Sequence, residues 1–166
     1  MKNDMRITYP LWEMGFIAIL MGLVFLIGRS ANFEVFDEGG FMFTVNLEFM
    51  NGIIVSGLLL LFVILAILFI VKVGKHNKRF PQRKISLFSF KPQEYMNDDE
   101  LFQEVTRRAT QKVYSFYSMA LPVIAVFFMM LPIPRIWMIL GILSLSMIQY
   151  FIYYTTIRKY VMEEDE

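Results

Sequence analysis

The side chains that could do chemistry in this chain are few. There is no cysteine and a single histidine, His76. Thiol catalysis, disulfides, iron–sulfur clusters and cysteine-based zinc sites are thereby excluded. One histidine cannot form a His–His metal site, although it could serve as the one base of a Ser/His/Asp triad. It lies among six basic residues between Lys72 and Lys84, which predicts a solvated or headgroup-level side chain. Asp98, Asp99, Glu100 and Glu104 cluster in the sequence. Acids in a first helical turn follow from the helix dipole, so no metal site is expected there. No Walker A, GxSxG, HExxH or GxGxxG motif occurs, and neither enzymatic activity nor a cofactor is expected.

Polar residues inside apolar stretches are costly to bury and point to function. Glu13 is the one acid near the start of an apolar run, at headgroup depth beside Trp12, where Lys2, Arg6 or Arg158 are candidate partners. Gln149 is the deepest amide and is expected to hydrogen-bond across helices. Pro122 should kink its helix, with Tyr114, Ser115, Tyr117 and Ser118 forming a polar stripe before it. Tyr117, Ser118, Pro122 and Gln149 are the candidate lining of a cavity.

These positions need elements to hold them, and the composition says which. Of 166 residues, 57% are hydrophobic and 19% charged, with a formal net charge of +1. A soluble domain averages about 45–50% apolar and about 25% charged. Disorder and a basic nucleic-acid binder are excluded. The apolar excess gathers into four runs. Leu11–Gly28 carries only Glu13, and Phe49–Val71, Val113–Pro134 and Ile136–Ile157 carry no charge. Each approaches or exceeds the roughly 20 residues that a helix needs to cross a bilayer. The expected fold is an all-α membrane domain over residues 1–166, a bundle of four transmembrane helices with spans near 11–28, 49–71, 113–131 and 136–157.

Orientation follows from the basic residues. With both termini and the loop 72–112 on one side, that side holds 14 Lys and Arg, and the other only Arg29 and Arg135. The positive-inside rule then places both termini in the cytoplasm of a multi-pass cell-membrane protein. A cleaved signal peptide competes for the first span, since Gly28 and Ser30 offer small residues for cleavage after Ser30.

The outer loop, 29–48, alternates Phe41, Phe43, Val45, Leu47 and Phe49 with Met42, Thr44, Asn46 and Glu48. The turn signal Asp37-Glu38-Gly39-Gly40 precedes it, and a short β-hairpin, or an extended lid over the outer helix ends, is expected. It reads either as a binding surface or as a loop seated on the helices and the lipid interface. In the inner loop, Lys72, Lys75, Lys78, Arg79, Arg83 and Lys84 suit anionic lipid headgroups. They serve equally as a plain topology signal. Ile85–Phe90 alternates weakly. A helix opens near Asn97 with a capping-box pattern to Glu100. Leu101, Val105, Ala109 and Val113 then recur every fourth residue, which predicts a helix running into the third span.

Small residues let helices approach closely. Gly15, Ala18 and Gly22 share a face of the first span, Gly52 and Ser56 of the second, and Gly141 and Ser144 of the fourth. They imply helix packing, within one chain or in a homo-oligomer.

Asp99-Glu100, Val105 and Ala109 open the helix that leads into the final hairpin. In this the chain resembles several small four-span bacterial membrane protein families of unknown function, most of them from Gram-positive bacteria. Their motif has Arg where Leu101 stands. The resemblance implies an accessory or regulatory role and no catalytic residue. The expected function is a non-enzymatic partner of a transporter, secretion machine or sensor, or an immunity protein. The alternative is a small oligomeric transporter or channel. Expected partners are membrane lipids and another membrane protein or a second copy, with no nucleic acid.

Overall fold

The structure is a computed structural model that describes residues 5–35, 40–81, 85 and 100–163. Four helices dominate: α1 (Met5–Ser30), α2 (Phe49–Arg79), α3 (Glu100–Met130) and α4 (Arg135–Glu163). Each is long and apolar enough to cross a membrane. Strands β1 (Ala31–Val35) and β2 (Phe41–Val45) form an antiparallel hairpin between α1 and α2. Phe33 pairs with Phe43 and Val35 with Phe41, and the Asn46 N–H donates to the Ser30 carbonyl where the strands rejoin the helices. The hairpin therefore lies at one end of the helices. Both chain termini emerge at the other, here called the terminal end.

The helices run past the uncharged cores read from the sequence, and the packing gives the reason. α1 begins before Pro10 rather than after it. Its first turns carry Met5, which packs with Phe69, Val73 and Ile85, and Ile7, which packs on Val105, Ala109 and Ile157. Those contacts hold the extra turns in place. α3 forms one helix from Glu100 to Met130, as the four-residue recurrence predicts. Val105, Ala109 and Val113 are buried on its inner face. Asn97, Asp98 and Asp99 lie outside the described residues, as does the side chain of Leu101.

The packing order is α2–α1–α4–α3. α1 lies between α2 and α4, and α4 between α1 and α3, whereas α2 and α3 share no packed face. The four-helix arrangement is thus an open row rather than a closed ring. Small residues explain part of the order. A Cβ on Gly15 would meet Leu65 at 3.4 Å, and one on Gly22 would meet Leu58 at 3.3 Å, so these glycines seat α1 on α2. Gly141 seats α4 on α3, where an added Cβ would come within 2.8 Å of Phe128. Ala18 is exposed, and nothing lies within 4 Å of a Cβ at Gly52. Ser56 donates to the Gly52 carbonyl and Ser144 to the Leu140 carbonyl, each within its own helix. Such back-bonding satisfies a hydroxyl without a partner helix.

The hairpin does not sit on the helices. All five residues of β2 are exposed, and its packed partner is β1. Its ladder consumes backbone groups of both strands, while Phe41, Phe43 and Val45 stay largely exposed.

Candidate functional site

The strongest concentration of polar groups among the spanning segments lies where α1, α4 and α3 meet. Tyr117 of α3 donates its hydroxyl to Gln149 Oε1 of α4 at 2.8 Å. The cross-helix bond expected of Gln149 is therefore present, and its partner is one of the residues named with it. Gln149 is the middle residue of α4. The next residue, Tyr150, lies within electrostatic reach of both Tyr117 and Glu13. Glu13 in turn lies beside Tyr9, one turn earlier on α1. Tyr9, Glu13, Tyr150, Tyr117 and Gln149 thus cluster where three helices meet.

Neighbouring contacts fix the level of Glu13 along the helices. Trp12 meets Phe69 at 5.8 Å between ring centroids, and Gly15 faces Leu65. The backbone of Glu13 is thus level with a point about one turn inside Lys72 on α2, while the Lys72 ammonium reaches back to the Trp12 ring. On α4, its neighbour Tyr150 lies two turns, roughly 12 Å, inside Arg158. Of the partners suggested for Glu13, Arg158 donates to the Tyr154 hydroxyl at 3.4 Å. Lys2 and the side chain of Arg6 lie outside the described residues.

Ser118 and Pro122 do not join this cluster. Ser118 donates to the Ser115 carbonyl at 2.9 Å, and both Ser118 and Pro122 are exposed on α3. Tyr9 and Tyr150 are not among the candidate lining residues read from the sequence. The signals that pointed to them were the i, i+4 spacing of Tyr9 and Glu13 and the adjacency of Tyr150 to Gln149.

The terminal end carries the charges. Arg107 and Arg108 both pair with Glu104 at 2.8 Å. The Arg108 hydrogen bond holds the Glu104 carboxyl below its ordinary value, in the charged part of α3 that precedes the uncharged run from Val113. Lys72 sits over the Trp12 ring at 5.2 Å and Arg79 over Phe80 at 5.6 Å. Lys72, Lys75, Lys78 and Arg79 are all exposed on the last turns of α2. Arg83 and Lys84 lie outside the described residues. His76, expected to be solvated, is instead buried, with its ring 5.2 Å from that of Phe80. The reason is that α2 continues through the basic run, so alternate faces of that run turn inward. Asn77 holds the following segment by two bonds: its amide donates to the Ile85 carbonyl at 2.8 Å and accepts the Ile85 N–H at 2.7 Å. Among the described residues, no three histidine, aspartate or glutamate side chains converge as a metal site would require.

No protein-family model, curated protein or solved structure matches the chain.

Proposed function

We propose that the chain is a non-enzymatic accessory or regulatory subunit of a cell membrane, which docks through α3 on another membrane protein or on a second copy of itself. Both termini face the cytoplasm in this reading. The support for orientation is the sorting of 14 basic residues to the terminal end against two at the hairpin end.

The observation that carries the docking reading is the outer side of α3. α2 and α3 are the two edges of the row, and the exposed side of α2 is almost wholly aliphatic, which suits lipid. α3 presents Tyr114 at 74% exposure, with exposed Ser115 and Ser118 and with Met119 at 75%. Hydroxyls and small residues at a helix surface in a bilayer suit another helix better than acyl chains. A photo-crosslinking residue at Tyr114 or Met119, in cells that make the protein natively, tests this. Adducts of one defined mass are expected there, with none from the same group at Leu60 on α2. Adducts at neither α3 position would refute the reading.

A second reading, a small oligomeric transporter or channel, is favoured by Glu13. A carboxylate in an apolar run of α1, close to Tyr9 and Tyr150, is a group able to hold a proton or a cation. Ion flux in reconstituted vesicles that disappears with Glu13→Gln would support it. Vesicles without flux, or with flux indifferent to Glu13→Gln, would remove it.

A further inference from the structure

The sequence assigns anionic lipid contact to the basic run of α2. The structure builds a more defined anion site elsewhere, on α3 and α4. Arg108, Gln111, Lys112 and Ser115 are spaced i, i+3, i+4 and i+7, so they form one stripe of α3. Tyr160 of α4 faces that stripe, and together the five residues line an open cleft of about 350 Å³.

Donors converge there and acceptors are scarce. Arg108 gives Nε to Glu104 at 2.8 Å and Nη1 to the Tyr160 hydroxyl at 3.2 Å, which leaves its Nη2 group to donate elsewhere. The Tyr160 oxygen accepts from Arg108, so its own O–H remains available. The guanidinium also lies 5.6 Å from the Tyr160 ring centroid, and the two contacts together fix its orientation. Lys112 forms no ion pair with any described residue, and its ammonium offers three donors. Gln111 and Ser115 add an amide and a hydroxyl. Among the described side chains, Arg107, Arg108 and Lys112 outnumber Glu104.

The position of the cleft matters as much as its charge. Lys112 is the last charge before the uncharged run that starts at Val113. Ser115 lies one turn into that run. The cleft therefore straddles the boundary between a charged helix and an apolar span, on the edge helix of the row and open to its surroundings. That is the level at which a lipid phosphate meets its acyl chains.

We infer that Arg108, Lys112 and Tyr160, with Gln111 and Ser115, form a binding site for a phosphate group. A guanidinium and an ammonium across a cleft from a phenol match the several acceptor oxygens of one phosphate, and charge-assisted bonds to phosphate are the strong class. A phosphomonoester headgroup and free inorganic phosphate share this chemistry, and two arms of one experiment separate them. The site does not depend on the docking or transport readings.

For the lipid arm, the full chain is placed in nanodiscs of phosphatidylcholine containing a minor share of phosphatidic acid. Lipid retained on the protein is then read by native mass spectrometry. For the soluble arm, the detergent-solubilised chain is titrated with inorganic phosphate and thermal unfolding is followed. Selective retention of phosphatidic acid is expected, with a loss on the order of tenfold in the double variant Arg108→Gln, Lys112→Gln, equivalent to about 1.4 kcal/mol. Glu104→Gln removes the competing negative charge and should strengthen retention. Stabilisation by phosphate alone, lost in the double variant, assigns the site to the free ion. The replaced side chains are exposed, and an unchanged elution volume checks that the fold survives. Binding in neither arm, or retention that survives the double variant and falls instead with Lys72→Gln and Lys75→Gln, would overturn the inference.

Discussion

The two edges of the helical row, α2 and α3, have the same length and different surfaces. α2 buries a thin stripe, Val55, Phe69 and Val73 with His76, against α1 and its flanking segments, and leaves aliphatic side chains elsewhere. α3 buries Val105, Ala109 and Val113 near the terminal end and leaves Tyr114, Ser115, Ser118 and Met119 outward in its first half, with Leu121, Val123, Val126 and Phe127 outward beyond them. The difference is therefore confined to one stretch of α3, and the docking proposal rests on that stretch. The hydroxyl in the apolar part of α2, Ser56, bonds within its own helix. The polar cluster from Tyr9 to Gln149 lies along the two middle helices, α1 and α4, and Tyr117 reaches it from α3.

Substitutions that fill space should separate the interior of the row from its edge most sharply. Gly141→Leu would force α4 from Phe128, and overpacking of this kind costs about 1–3 kcal/mol. Gly52→Leu on α2 has open space around it and should leave the unfolding midpoint unchanged or slightly raised. Thermal unfolding in one detergent compares the two directly. Equal losses would mean that α2 packs on something not yet placed.

The loop anchor comes next in size. Asn77→Ala removes both bonds to Ile85, each worth about 1 kcal/mol net. Amide exchange at Ile85 should accelerate while α4 keeps its protection. Exchange at Ile85 that stays slow would show that the apolar contacts with Met5, Phe69 and Val73 suffice alone.

The polar cluster should give a smaller effect. Tyr117→Phe strips Gln149 of its donor, and such bonds between membrane helices average about 0.6 kcal/mol. The double change Tyr117→Phe, Gln149→Leu should cost less than the sum of the two single changes. Strict additivity would show that the bond contributes nothing.

The smallest effect is at Glu104. Its carboxyl titrates below its ordinary value because Arg108 bonds the charged form. A depressed native value means that the pairing stabilises the fold above the unfolded-state pKa and is lost as pH falls through the native one. Carboxyl chemical shifts should show Glu104 protonating later than a free glutamate on acidification, and Arg108→Gln should shorten the delay, with the part due to Arg107 remaining.

Much of this architecture was legible in the sequence for simple physical reasons. Uncharged runs long enough to span announce helices. Alternation from Phe41 to Phe49 after an Asp-Glu-Gly-Gly turn announces a hairpin. Val105, Ala109 and Val113 at four-residue spacing announce the buried face of α3. The order of the helices was not legible, because apolar residues around a whole circumference give no direction to pack in. The small residues were half informative: Gly15 and Gly141 mark contacts, while Gly52 looks the same in sequence and marks none. His76 was read from its basic neighbours, although the helix that carries them also turns one face inward.

The open row is the claim on which the rest depends, and one distance tests it. The absence of cysteine makes paired spin labels simple to place. With labels at Gly57 of α2 and Ala125 of α3, pulsed dipolar spectroscopy on the chain in nanodiscs reads the separation of the two edges. Packed helices have axes about 8–10 Å apart. An open row predicts a separation of roughly 20 Å or more, two or more such steps. A single narrow distribution near 10 Å would show that α2 and α3 close on each other, and would contradict the account.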